Sequence, residues 1–263
     1  MQGTLMPIGG AEDRRASRLI LTRFFQLCGG SSARILVIPT ASSFPRETGT
    51  TYQHIFTQLG AARVTTLHPA DRYQANAADR VRLLDDVSGV FMSGGDQLRL
   101  VSTIGGTRLA SALHKRFKEG MHIAGTSAGA SALSRQMIAF GRSGLAPSQR
   151  MVQMAAGLGL ADDLIIDQHF GQRHRLGRLM TAVALHPGSV GVGVDEDTAL
   201  MIAPNGDWEV LGSGTVTLVD GREMEYTNIH AVKQHKPIEM VGVKVEVLPP
   251  GVYTPAEHNR LTA

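Results

Sequence analysis

From residue 4 to about residue 195, short apolar runs alternate with stretches whose apolar residues fall on one helical face. The runs lie at 4–8, 35–38, 64–67, 90–92, 122–124, 164–166 and 190–194. Several are apolar at consecutive positions, which suits strands covered on both faces rather than strands wet on one side. Between them, Tyr52, Ile55, Phe56 and Leu59 follow helical spacing, Leu109, Leu113 and Phe117 repeat every four residues, and Leu176, Leu179, Met180 and Val183 form another one-sided stripe. The alternation predicts an α/β fold: a doubly wound, mostly parallel sheet with helices on both faces and its sites at the carboxyl ends of the strands.

After Asp197 the texture changes to β-rich segments at 199–202, 208–211, 215–219 and 243–248, separated by turn pairs such as Asn205-Gly206 and Asp220-Gly221. These predict antiparallel strands extending the same domain from about residue 198, so that residues 1–263 form one unit; a separate C-terminal domain is the alternative. No repeat of the length used by solenoids is visible. Residues 1–8 lack a basic segment followed by a long apolar one, and no apolar window is long enough for a membrane span, so the expectation is a chain neither secreted nor membrane-embedded. Cys28 is the only cysteine, which rules out a disulfide within the chain and a cysteine-based metal cluster and fits a reducing cytoplasm. The formal net charge is only +3 and there are one Trp, four Tyr and eight Phe, a poor match to the concentrated basic face or stacking platform of a nucleic-acid binder.

The sharpest motif is Gly125-Thr126-Ser127-Ala128-Gly129, which follows an apolar run and opens a small-residue helix. G-x-S-x-G in that setting is a nucleophile elbow: glycines on either side permit the strained turn that lifts Ser127 into a cleft, with the Ala128 amide facing a developing oxyanion. The alternative is a small-residue loop for tight packing or for phosphate. A second glycine turn, Gly94-Gly95-Asp96-Gln97, can supply a Gly95 or Asp96 amide as second oxyanion donor, with Gln97 reaching substrate; alternatively Asp96 is an ordinary helix N-cap. A third, Gly9-Gly10-Ala11-Glu12-Asp13, lacks the spacing of a dinucleotide loop.

A serine nucleophile needs a base. His169 follows the 164–166 run at the sheet edge where sites collect, whereas His174 points away from the core on the wheel of the following helix. The alternative for His169 is a satisfied buried histidine. The base needs an acid to orient it. Asp195, Glu196 and Asp197 end the 190–194 run, and period-two alternation places Glu196 on one face and the two aspartates on the other without saying which faces the site. Arg173, Arg175 and Arg178 lie on the helix after His169, with Arg175 and Arg178 about 60° apart on the wheel; they are either carboxylate-binding forks or a solvated basic face. No histidine pair has a metal-ligand spacing.

Taken together, Gly94-Gly-Asp-Gln97, Gly125-Thr-Ser-Ala-Gly-Ala130, Asp167-Gln-His-Phe170 followed by Arg173, Arg175 and Arg178, and Gly193-Val-Asp-Glu-Asp-Thr-Ala199 resemble the sequence blocks of the cyanophycinases. Residues 8–13 and 38–42 agree, so the resemblance runs from near residue 4 to at least residue 220. These are serine peptidases related to peptidase E, with a flavodoxin-like fold akin to class I glutamine amidotransferases. The amidotransferases use a cysteine and H-x-E; this chain has serine and no such pairing at His169. The resemblance implies Ser127 as nucleophile, His169 as general base, Glu196 as the orienting acid, and the Gly95 and Ala128 amides as oxyanion donors. It also implies a pocket of Gln97, Asp167, Gln168, Arg173, Arg175 and Arg178, beside Asp96, no cofactor or metal, and a homodimer. The substrate so implied is cyanophycin, a poly-aspartate with arginine on each β-carboxyl, released as β-Asp-Arg dipeptides. Each repeat carries a guanidinium, which Asp167 would pair, and a carboxylate, which an arginine of the cluster would fork. The rival readings are a peptidase E-like or isoaspartyl dipeptidase and a non-catalytic amidotransferase-like binding module.

Overall fold

The computed structural model describes residues 1–254. Its strands are β1 (Leu5–Ile8), β2 (Arg34–Ile38), β3 (Arg63–Thr66), β4 (Gly89–Met92), β5 (His122–Thr126), β6 (Gln136–Gly141), β7 (Val152–Ala156), β8 (Leu164–Asp167), β9 (Val190–Val194), β10 (Thr198–Ile202), β11 (Trp208–Gly212), β12 (Val216–Asp220), β13 (Tyr226–Thr227), β14 (Met240–Val241), β15 (Lys244–Leu248) and β16 (Gly251–Tyr253). The helices are α1 (Leu19–Leu27), α2 (Pro45–Gln58), α3 (Arg72–Ala75), α4 (Ala78–Val81), α5 (Gln97–Ile104), α6 (Arg108–Lys118), α7 (Ala128–Ala132) and α8 (Leu176–Leu185).

An eight-stranded sheet in the order β16-β11-β10-β1-β5-β4-β2-β3 forms the spine, parallel from β1 through β3 and antiparallel where β10, β11 and β16 extend it. The consecutive apolar runs are buried on both faces, as a doubly wound sheet requires. Leu36, Ile38, Val90, Met92 and Ile123 belong to the core under α5, α6 and α7. Their neighbours Ile35, Val37, Phe91 and Ala124 face Ile20, Leu21 and Phe24 of α1 and Tyr52, Ile55 and Phe56 of α2. Local signals start the helices: Pro45 opens α2, while Asp96 and Thr107 accept backbone N–H groups as N-caps of α5 and α6. Cys28 ends α1, buried with its sulfur against the backbone of Gly89, and burial pushes its thiol far above the usual range.

Two expectations are corrected. The runs 164–166 and 190–194 are strands β8 and β9, but they lie in a separate four-stranded sheet, β15-β12-β9-β8. The reason is the return strand: β10 runs antiparallel beside β1, pairing Leu5 with Ile202 and Ile8 with Ala199, and occupies the edge that β9 would have taken. Each sheet buries one face in a shared core, where Val192, Val194, Val216 and Leu218 join Leu200 and Val210, and the other face under helices, so their sequence texture is alike. The β-rich tail therefore divides, with 208–211 extending the first sheet and 215–219 and 243–248 completing the second. In addition, the helix after His169 does not begin at once: a 3-10 turn at Gly171–Arg173 and a left-handed His174 precede α8.

Phe91 is the hub of the core on the α1/α2 side, with ring centroids 4.5 Å from Tyr52, 5.4 Å from Phe56 and 5.9 Å from Phe24. Phe91→Ala is expected to cost about 3–5 kcal/mol of folding free energy. Urea titration measures it, and a midpoint unchanged from wild type would contradict this packing.

Candidate active site

Strand β5 pairs in parallel with β1 up to the Ile8–Thr126 position, and the chain then turns sharply. Ser127 has φ 52 and ψ −113, a conformation that ordinary residues avoid. The residues two before and two after it must be glycine for steric reasons. A Cβ on Gly125 would lie 2.4 Å from the Gly129 carbonyl oxygen, and one on Gly129 would lie 2.5 Å from that of Met92. Ser127 is thus presented at the carboxyl edge of the sheet, immediately before α7, and the amide of Ala128 is a first-turn N–H with no acceptor in its own helix.

The second sheet brings the other groups to this edge. Ser127 Oγ lies 2.9 Å from His169 Nε2, and His169 Nδ1 lies 2.6 Å from Glu196 Oε1. With Nδ1 donating to the carboxylate, Nε2 is left to accept from the serine hydroxyl. Of the three acids after β9, only Glu196 reaches His169. Asp195 accepts from the amides of Gly171 and Thr215 and from the Thr215 hydroxyl. Asp197 accepts from the Asp13 amide. The two aspartates brace the turn from both sides, and the Glu196 amide donates to Gln172 Oε1 at 2.9 Å.

Three consecutive carbonyls at the end of β1 join these segments. The amide of Ser127 donates to Ile8, that of His169 to Gly9 and that of Asp197 to Gly10, at 2.9, 2.8 and 2.8 Å. A Cβ on Gly10 would stand 2.4 Å from His169 Cε1, so the glycine leaves room for the imidazole.

The glycine turn after β4 lies alongside. Gly94 packs against Ser127, and Gly95, at φ 141, sits so close to the Ala41 carbonyl that a side chain would overlap it. Asp96 caps α5 through the amides of Leu98 and Arg99. Gln97 donates from Nε2 to the carbonyls of Ile138 and Ala139, holding the β6–β7 hairpin and leaving Oε1 as an acceptor.

Asp167 differs most from expectation. It is 0% exposed and bound in a fork by Arg178, Nε to Oδ2 at 2.6 Å and Nη2 to Oδ1, with Arg175 Nη1 3.4 Å from Oδ1. Arg175 also donates to the Gln168 carbonyl. The two arginines are neither a solvated face nor free forks: they are 7% and 5% exposed and neutralise a buried carboxylate, which is closed to any substrate guanidinium. Removing either arginine would leave buried charge without its partner, which is strongly destabilising in general. Arg173 remains exposed. Gln168 is buried with Oε1 3.5 Å from Ser127 Oγ. Sequence reasoning missed the β6–β7 hairpin and Gln172, for which no motif exists. It also passed over the carbonyl frame, whose one visible signal was the Gly9-Gly10 pair.

His169 is held below the usual histidine range, first by burial and then by the cations of Arg173 and Arg175, against the opposing pull of the Glu196 hydrogen bond and charge. Burial also draws Arg175 down to about 10, leaving it charged at neutral pH. At neutral pH the imidazole is therefore uncharged and able to take a proton. Among the described residues no group of His, Cys, Asp and Glu is arranged to hold a metal ion, and no helix is long and apolar enough to cross a membrane.

A hydroxyl, an imidazole and a carboxylate hydrogen-bonded in line at the edge of an α/β sheet define the serine-hydrolase class of site. The chain belongs to peptidase family S51, whose sequence model matches residues 5–207, and it is a serine peptidase. It is 43% identical over 251 residues to the cyanophycinase of Synechococcus elongatus, covering 95% of this chain and 78% of that one. It is 39% identical over 249 residues to the cyanophycinase of Geminocystis herdmanii, covering 94% and 92%. Among solved structures it resembles a peptidase from an acI-B1 Actinobacterium, with TM-score 0.68 and 22% identity over 94% of this chain and 97% of that one. A putative peptidase E from Listeria monocytogenes matches with TM-score 0.53 and 16% identity over 81% and 98%. These two likenesses support the fold.

Covalent modification of Ser127 by a small fluorophosphonate should follow the neutral fraction of His169. Its rate is expected to rise with pH through a midpoint below 6.5, because the shift from that ordinary value is downward. Removing a cation favours the imidazolium, so Arg173→Gln should move the midpoint to higher pH. A midpoint unmoved or lowered in that variant would contradict the assigned electrostatics.

Proposed function

We propose that this chain hydrolyses cyanophycin to β-Asp-Arg dipeptides through an acyl-enzyme on Ser127. The observation that carries the reading is the continuous relay of Ser127, His169 and Glu196, at 2.9 and 2.6 Å. The choice of substrate is supported by relatives named cyanophycinase at 39–43% identity.

Ser127 Oγ attacks the backbone carbonyl between successive β-Asp-Arg units as its proton passes to His169 Nε2, and Glu196 stabilises the resulting imidazolium. The oxygen that gains charge is received by the amides of Ala128 and Gly95, an interaction worth about 10²–10³ in rate per donor in comparable sites. His169 then gives the proton to the departing amine as the C–N bond breaks. Water attacks the acyl-enzyme with His169 again as base, and the proton it takes returns to Ser127 Oγ as the ester bond breaks.

Substrate charge is read by a smaller set of groups than the one expected. Asp167 is closed, so its part is to anchor Arg175 and Arg178, and through Arg175 the Gln168 carbonyl. Arg173, exposed beside His169, is the guanidinium assigned to the arginine carboxylate of a repeat. Gln97 Oε1, Gln168 and the Asp96 edge of the glycine turn are the polar acceptors assigned to the rest of the unit. The single cysteine fits a reducing cytoplasm, and the family resemblance implies a homodimer; both belong to this proposal.

The test incubates wild type and Ser127→Ala with insoluble cyanophycin and with β-Asp-Arg. Dipeptide released from the polymer by wild type alone is the expected result, with a loss of at least about 10³-fold in Ser127→Ala. Free aspartate and arginine from the dipeptide, with the polymer untouched, would replace this reading with an isoaspartyl dipeptidase.

A further inference from the structure

The turn at residues 9–13 supplies the carbonyls that receive the His169 and Asp197 amides, directly after the Ile8 carbonyl that receives Ser127, yet nothing in the hydrolytic chemistry uses its one buried acid. Glu12 is 3% exposed. Oε2 accepts from the hydroxyl of Thr126, the residue before the nucleophile, at 2.6 Å, and Oε1 accepts from the hydroxyl of Tyr52 on α2. Among the described residues it has no ion-pair partner; two neutral hydroxyls satisfy it. Burying a carboxyl without a cation is costly in general. A fold that needed only to fill this space would be served by an uncharged side chain.

We propose that Glu12 is a positioning residue for the hydrolytic centre, clamping the 9–13 turn to the nucleophile elbow. This rests on the Ser127–His169–Glu196 reading. The path is short and made of named bonds. Thr126 ends β5, and Tyr52 is fixed by its ring contact with Phe91. Both are held by the core, so their hydroxyls are firm anchors. Glu12 ties the turn to them from one end, and the Gly9 amide ties it to the Thr198 carbonyl from the other. Between these ties lie the Gly9 carbonyl that receives His169 and the Gly10 carbonyl that receives Asp197, next to Glu196. Gly10 is also the surface against which the His169 ring rests. A turn released at Glu12 therefore loosens His169 and Glu196 together relative to Ser127, while the fold keeps its sheet pairings. A carboxylate suits this task because both of its oxygens accept, whereas an amide can accept on only one side.

Thr126→Val removes the hydroxyl while keeping the side chain's shape, Thr126→Ser keeps the hydroxyl, and Glu12→Gln keeps the size and halves the accepting capacity. On cyanophycin, Thr126→Val and Glu12→Gln are expected to lower kcat about 10- to 100-fold with KM within about twofold and with fluorophosphonate labelling of Ser127 slowed in parallel. Thr126→Ser is expected to restore kcat to within about threefold of wild type. The double variant should lose little more than either single one, because both cut the same tie. Far-ultraviolet circular dichroism and melting temperature accompany each variant, and Thr126→Val decides the matter if Glu12→Gln fails to fold. Wild-type kcat and labelling in Thr126→Val would overturn the proposal, as would a change confined to KM, or a Thr126→Ser variant as slow as Thr126→Val. Full activity in Ser127→Ala would remove the relay itself and the clamp with it, a result distinct from every outcome at Thr126.

Discussion

The amides of Ser127, His169 and Asp197 come from three separate stretches of chain, and they converge on the carbonyls of Ile8, Gly9 and Gly10. That convergence depends on where β1 lies. It is flanked by β5 in parallel and β10 in antiparallel register, so its end is the point where the elbow and the return strand meet. Beyond Ile8 the chain needs two glycines in succession: Gly9 because the backbone of Asp195 occupies the place of its side chain, and Gly10 because the His169 ring does. Ser127, His169 and Glu196 are thus aligned by main-chain hydrogen bonds fixed by the sheet, and flexible side chains make only the last contacts.

The strain at Ser127 fits the same scheme. A non-glycine residue at φ 52 and ψ −113 is disfavoured by an amount of order 1–3 kcal/mol. It persists because both flanking glycines admit close main-chain contacts and because its own amide is tied to Ile8. The electrostatics are likewise settled by competition. Glu196 favours the imidazolium, while burial and two nearby guanidiniums oppose it, and burial is the largest of these influences. The outcome is an uncharged imidazole at neutral pH, hydrogen-bonded to the Glu196 carboxylate.

Much of this was legible in the sequence where the requirement is local. The glycines around Ser127 are dictated by the turn itself, and the apolar runs by burial on both faces. What could not be read was partnership at a distance. Consecutive apolar residues announce a covered strand without naming its sheet, so β8 and β9 look no different from β2 and β4. Alternation separated Glu196 from Asp195 and Asp197 but left the choice of face to tertiary contacts, which commit the aspartates to amides and a hydroxyl. Asp167 was misjudged for the same reason: its pairing with Arg178 spans eleven residues and a change of element, and a charge pattern written along the chain does not distinguish a residue awaiting a substrate from one already neutralised. The β6–β7 hairpin, held by Gln97, has turn residues in its long connection, Ser143-Gly144 and Pro147-Ser148, but these mark a loop without saying that the strands on either side pair.

The lone cysteine has a consequence of its own. Cys28 Sγ fills the space left by the missing side chain of Gly89, between α1 and the sheet, and its thiol resists ionisation there. A thiol reagent therefore finds no nucleophile on the native surface, and thiolate chemistry at this position waits for α1 to separate from β4. The rate at which Cys28 is alkylated is in effect a clock for the opening of that half of the molecule, carried by the unaltered chain and silent towards Ser127, which lies at the other end of the parallel strands.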